Sequence, residues 1–161
     1  MKYPRTKRKR YRKGLGVDQF KKVKVRSYQS ARNRTWDMFS LFIRLRDCLK
    51  TTGNKNLGKC ITCGKIYQFK DLQAGHLVQG RGNAVLFDEL GVNAQCERCN
   101  IYNDGEALIY RAKLIELHGE GIVRTLESKR FKTKRYSIPE LDCLYHYYKQ
   151  EYKKLCASTS K

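Results

Sequence analysis

No stretch of this 161-residue sequence approaches the ~18 consecutive apolar residues that a membrane span needs. The opening Met-Lys-Tyr-Pro-Arg lacks the apolar core of a secretory signal, and no basic amphipathic anchor stands out. The expectation is a chain that stays in a reducing cytosol, where seven cysteines act as metal ligands and free thiols rather than disulfides. Acidic residues are scarce too. Fifteen Asp and Glu against 35 Lys and Arg give a formal charge of +20 and a pI near 9.8. That imbalance argues against an ordinary enzyme of small neutral substrates and for a polyanion, most economically nucleic acid, with a merely solubilising surface as the alternative. No recognition-helix motif is present, so sequence-specific reading is not expected.

Apolar residues are too few in the first 26 positions to bury a core, while twelve Lys or Arg stand there against one acid, Asp18. Residues 1–33 are therefore expected to form a basic arm, disordered when free, whose Arg8, Lys9, Arg10 and Arg12 contact phosphates without reading sequence. A helix comes next over about Arg34 to Lys50, where Trp36, Phe39, Phe42, Leu45 and Leu49 form one apolar stripe. Asp37 suits its N-terminal end, Arg44 and Arg46 lie off the stripe towards DNA or water, and Gly53 is a plausible C-cap. Short strands are expected over 65–69 and 72–78, and after them a glycine-flanked loop whose Arg81 is a candidate DNA contact. Then come a helix from Asn100 through the apolar positions after Gly105, a second over 120–128 with Ile122, Val123 and Leu126 inward, and a basic run with Lys129 and Arg130. Ser137-Ile-Pro-Glu140 is a capping box opening a last helix, whose stripe of Leu141, Leu144, Tyr145, Tyr148, Tyr152 and Leu155 either folds back or pairs with a second subunit.

The most specific pattern lies between Cys60 and Asn100. Cys60-Ile-Thr-Cys63 and Cys96-Glu-Arg-Cys99 are two Cys-x-x-Cys knuckles, each supplying two sulfurs from one tight turn. Together they make a four-thiolate tetrahedral zinc site, of the closed type that is usually structural. Between them lie His76 and Asn93, and Asn100 abuts the last cysteine.

In these residues the chain resembles the zinc-braced HNH (ββα-metal, or His-Me finger) nucleases. The likeness extends from Trp36–Asp47 through Gln95-Cys96 to Tyr110–Glu116, and over about residues 35–128 it resembles the NinG/Rap recombination proteins of lambdoid phages. In its knuckles and their asparagine it is also similar to phage endonucleases that resolve branched DNA. The resemblance implies an α+β fold: a small ββα-metal finger braced by a four-cysteine zinc site and surrounded by helices. Residues 34–128 would be the nuclease domain, and 129–161 a basic linker and C-terminal helix. His76 would be the general base, a role suited to a neutral imidazole near pH 7. Asn93 would hold the loop by bonding its backbone, and Asn100 would be an oxygen ligand for Mg²⁺ or Mn²⁺.

One position departs from that pattern. Many HNH nucleases carry Asp immediately before the base histidine as a second metal ligand, and here that place is Gly75. Asp104, four residues after Asn100 and so on the same face of a continuous helix, is the candidate substitute; colicin-type HNH sites similarly take two ligands from that helix. Asp71 and Asp88 are the fallbacks. The expected function is a metal-dependent endonuclease of phage recombination, encoded by a phage and acting in the host cytoplasm on branched or partly single-stranded DNA, a homodimer being left open. The competing readings are a structure-nonselective nicking or homing-type HNH enzyme and a zinc-braced DNA-binding protein without catalysis.

Overall fold

A computed structural model of the chain describes residues 26–80 and 82–157. The expected DNA contacts Arg8, Lys9, Arg10, Arg12 and Arg81 lie outside the described residues.

Helix α1, Tyr28–Thr52, is the spine. The Ser27 hydroxyl accepts from the Ser30 N–H at 3.2 Å to open it. Gly53, at φ 68°, closes it by donating its N–H to the Leu49 carbonyl at 2.9 Å. The helix starts about two turns earlier than its apolar stripe predicts, so residues 28–33 are helical rather than part of an arm, and Asp37 is mid-helix instead of in the first turn. Those polar first turns are held by tertiary contacts: Arg26 and Arg34 both pair with Asp142, and Arg34 lies 3.5 Å over the Tyr145 ring.

Two antiparallel hairpins pack on α1. Strands β1 (Leu57–Lys59) and β2 (Ile66–Gln68) flank the first knuckle; β3 (Leu72–His76) and β4 (Val92–Cys96) form the second pair. In β3–β4, Leu72 faces Cys96 at one end and His76 faces Val92 at the other. Alternation then puts Ala74, His76, Val92 and Ala94 on one face and Gln73, Gly75, Asn93 and Gln95 on the opposite one. A four-residue helix α2, Asn83–Leu86, lies in the connection. After β4 the expected single helix from Asn100 is broken. A π-type turn over Arg98–Tyr102 and a 3₁₀ turn over Asp104–Glu106 precede α3 (Ala107–His118) and α4 (Glu120–Ser128). Asp104, Gly105 and Glu106 all have positive φ (49°, 76° and 50°), which no continuous α-helix accommodates.

The last helix α5, Ile138–Ala157, opens with its capping box formed: the Ser137 N–H donates to Glu140 at 2.6 Å, and the Glu140 N–H donates to the Ser137 hydroxyl at 3.3 Å. Its stripe folds back on α1 of the same chain. Phe39, Phe42, Ile43 and Tyr148 form the resulting core with Ala74 and Val92 of the hairpin. On the other side, Tyr110 and Leu114 of α3 and Val123 and Leu126 of α4 bury Leu77, Val78 and Val85, whereas Ile122 is exposed rather than inward. The second hairpin thus packs on the α1–α5 layer, and the connection that follows β3 packs on α3 and α4. No helix among the described residues is long and apolar enough to cross a membrane.

Arg44 and Arg46 do not face solvent DNA. Arg44 donates to the Leu72 carbonyl at 3.2 Å, and Arg46 donates to the Glu89 and Val92 carbonyls at 2.7 and 3.0 Å. The Ala94 N–H donates to Asp47 at 2.7 Å. A two-stranded sheet leaves its outer edges unpaired, and these α1 side chains satisfy them from inside the fold.

Candidate metal centre and histidine cavity

The four knuckle cysteines converge. Their Sγ atoms all lie within 4.8 Å of one another, and three of the four residues are buried. In the first knuckle the turn closes locally: the Gly64 N–H donates to the Cys60 carbonyl at 2.9 Å, with Gly64 at φ 70°. The Ile61 N–H donates to the Ala94 carbonyl at 2.9 Å and ties this knuckle to β4. Burial pushes the Cys60 and Cys99 thiols up. Burial also raises Cys96, but hydrogen bonds from the Tyr67 hydroxyl and Cys99 outweigh it and bring that thiol down to about 7. Four soft sulfur donors at this spacing could hold a metal such as zinc.

At the other end of β3, His76 is buried, its ring stacked on Trp36 at 5.1 Å between centroids and 21° between planes. Its Nε2 lies 3.3 Å from the Leu86 carbonyl. A carbonyl oxygen only accepts, so in this contact Nε2 is the donor. His76 borders a cavity of about 440 Å³ whose walls include Gln73, Gln79, Asn100 and Asp104. Its walls include Gln73 and His76, which lie on opposite faces of β3.

Asn93 is buried and does not line this cavity. Its Nδ2 donates to the Leu90 carbonyl at 3.3 Å and to the Tyr110 hydroxyl at 3.2 Å, and its Oδ1 accepts from Arg46 at 3.3 Å. The Tyr110 hydroxyl donates in turn to the Gly75 carbonyl at 2.9 Å. Asn93 therefore braces the loop before β4 and, through Tyr110, the backbone next to His76. Asn100 is turned by Gln73, whose Oε1 accepts from Asn100 Nδ2 at 2.7 Å and leaves Asn100 Oδ1 for another partner. Asp104 lines the same cavity as Asn100, although the helical continuity expected to align them is absent. Asp71 and Asp88 stand outside it; Asp88 is committed to Lys129 and to the Leu90 and Gly91 N–H groups. Lys129, so paired, and the exposed Arg130 likewise do not border the His76 cavity.

Trp36 as the partner of His76, Gln73, Gln95 and Tyr110 were not singled out by sequence reasoning. The polar alternation Asn93-Ala94-Gln95 in a fully buried strand was the available signal for Gln95.

The family model described as "Bacteriophage Lambda NinG protein" matches residues 2–157. "Protein ninG" of Salmonella phage P22 is 32% identical over 103 residues, covering 63% of this chain and 50% of that protein. "Protein ninG" of Escherichia phage 933W is 30% identical over 103 residues with the same coverage. The chain thus spans about half the length of the curated relatives it matches. No solved structure matches it.

Proposed function

The chain belongs to the phage NinG family, and on that premise we propose that it is an HNH-type endonuclease of phage recombination, hydrolysing phosphodiesters in branched DNA with a divalent ion. The observation that carries the reading is the placement of His76: its ring is stacked on Trp36, its Nε2 is directed at the Leu86 carbonyl, and it borders one polar cavity together with Asn100 and Asp104.

Hydrolysis begins when the His76 imidazole takes a proton from water as the water oxygen forms a bond to phosphorus, and it ends with departure of the 3′ oxygen, which picks up a proton. Asn93 and Tyr110 hold the backbone beside His76 and so keep the imidazole aimed. Asn100, oriented by Gln73, presents Oδ1 as a hard oxygen donor, and the Asp104 carboxylate borders the same space. Mg²⁺ or Mn²⁺ bound there supplies charge neutralisation at the scissile phosphate and the leaving oxygen. The residues fit such an ion, because oxygen donors with and without charge line one cavity. Zinc in the Cys60, Cys63, Cys96 and Cys99 cluster is the structural brace.

The formal charge of +20 supports DNA as the substrate, and the preference for branched or partly single-stranded DNA rests on the resemblance to junction-resolving phage enzymes. Action in the host cell's cytoplasm rests on the phage family. The test is cleavage of a labelled four-way junction beside a matched linear duplex, for the wild type and His76→Ala. Cutting of the junction that needs Mg²⁺ or Mn²⁺ and vanishes in the mutant is expected. Equal cutting of both DNAs would retain the nuclease and discard the junction preference; binding without cutting would leave a zinc-braced DNA-binding protein.

A further inference from the structure

Gly75 occupies the place where related sites carry an acidic ligand, yet its backbone does not require glycine. Its φ is outside the positive range that five other glycines of the chain adopt. What excludes a side chain is space. A Cβ on residue 75 would stand 1.8 Å from Gln95 Oε1 and 2.9 Å from Asn100 Oδ1.

Gln95 is fully buried, and its orientation is fixed by its amide nitrogen. Nε2 donates to the Thr62 hydroxyl at 2.6 Å and to the Gly105 carbonyl at 3.0 Å. Oε1 therefore points the other way, into the gap beside Gly75, and among the described residues it is a buried side-chain oxygen with no hydrogen-bond partner. Asn100 is oriented comparably, since Gln73 takes its Nδ2 and leaves Oδ1 facing the same gap. Two amide oxygens thus lie against Gly75, and one of them, Gln95 Oε1, receives no donor hydrogen among the described residues. A buried acceptor in that state carries an unrecovered desolvation cost, which a cation relieves.

Resting on the nuclease reading above, we propose that Gln95 is the second protein ligand of the catalytic divalent ion: its Oε1, with Asn100 Oδ1, replaces the acidic ligand that Gly75 cannot supply. The ligand has moved from β3 to the neighbouring strand β4, and glycine at 75 leaves the room that admits it. Neutral amide oxygens are acceptable donors to a hard ion, and the loss of one negative charge predicts weaker binding than an aspartate would give.

Binding of Mn²⁺ to the full-length, zinc-loaded protein without DNA, followed by the electron paramagnetic resonance of free Mn²⁺, tests this independently of cleavage. Gln95→Ala and Asn100→Ala should each weaken Mn²⁺ binding about tenfold or more, with zinc content retained. The double variant Gly75→Asp with Gln95→Ala should restore binding to at least the wild-type level, because the aspartate enters the vacated space. Gly75→Val with Gln95→Ala fills that space without an oxygen and should stay weak; it also keeps the test valid if Gln95→Ala alone folds poorly. Unchanged Mn²⁺ affinity in Gln95→Ala beside a loss in Asn100→Ala would overturn the role of Gln95 and leave the nuclease reading standing. Recovery by the valine variant would likewise overturn it, by making the role one of packing. A wild type with no Mn²⁺ site at all would bring down the reading beneath it as well.

Discussion

The β3–β4 hairpin has two chemically opposite ends. At the Leu72–Cys96 end the chain gathers soft sulfur in a mostly buried cluster tied to the first knuckle by the Ile61–Ala94 bond. At the His76–Val92 end, roughly 13 Å away for four residue steps, it offers an imidazole beside a cavity bordered by amide and carboxylate oxygens. One end could hold a metal such as zinc, and the other is where the proposed nuclease reading puts a divalent ion and a substrate. Gln95 joins them. Its Nε2 reaches Thr62, inside the first knuckle, while its Oε1 reaches the gap beside Gly75. Under the proposed function, a brace and a reactive site separated along one short sheet would let the second stay polar without the fold depending on its occupancy.

That contrast breaks most severely at the sulfur end. Cys96→Ser, or removal of zinc by a strong chelator, should unfold the hairpin region, since structural zinc contributes on the order of 10 kcal/mol to small domains. A chelated protein whose circular-dichroism melt is unaltered would contradict the zinc brace. At the opposite end, His76→Ala should lower metal-dependent cleavage about 10²–10⁴-fold. It should also cost about 1 kcal/mol of stability by removing the ring stacked on Trp36, and cleavage assays and melts on the same sample separate the two effects.

Tyr110→Phe sharpens the comparison from within. It removes the hydroxyl that donates to the Gly75 carbonyl and accepts from Asn93 in a fully buried setting. A stability loss of about 1–3 kcal/mol in urea unfolding is expected, together with a fall in cleavage at unchanged zinc content. Unaltered stability would mean that this brace does not support the histidine end. Smallest on either end is deletion of residues 1–25, which spares the Arg26–Asp142 pair and should leave melting intact. It should reduce the salt dependence of DNA binding, at about 0.9 in slope for each phosphate no longer neutralised; the same slope with and without these residues would remove them from the DNA interface.

Much of the sulfur end was legible in the sequence because its geometry is local: two Cys-x-x-Cys turns need only be brought together. The capping box at Ser137 and the Gly53 cap were legible for the same reason, each resting on neighbours in the chain. Where tertiary contacts override local signals, the sequence was opaque. The first turns of α1 have no strong stripe and are held by Asp142 and Tyr145, more than a hundred residues away. Arg44 and Arg46 read as surface charge but serve the unpaired carbonyls of strand edges and loops. Strand β4 alternates Val92, Ala94 and Cys96 with Asn93 and Gln95 as a half-exposed strand would, yet it is buried throughout, so its pattern makes two buried polar side chains look solvent-facing. The interrupted helix at 104–106 was hidden because Gly105 alone marks it, and two non-glycine neighbours share its positive φ. The histidine cavity was anticipated only through resemblance, and what resemblance did not supply was the side chain filling the space above Gly75.

The most direct test of two separable ends uses one zinc-loaded preparation each of wild type and His76→Ala, compared for melting, zinc content and Mg²⁺-dependent cleavage of a four-way junction. The account predicts equal zinc content in both, similar melting points, and cleavage in the wild type alone. Undiminished cleavage by His76→Ala would contradict it and remove the histidine from the chemistry.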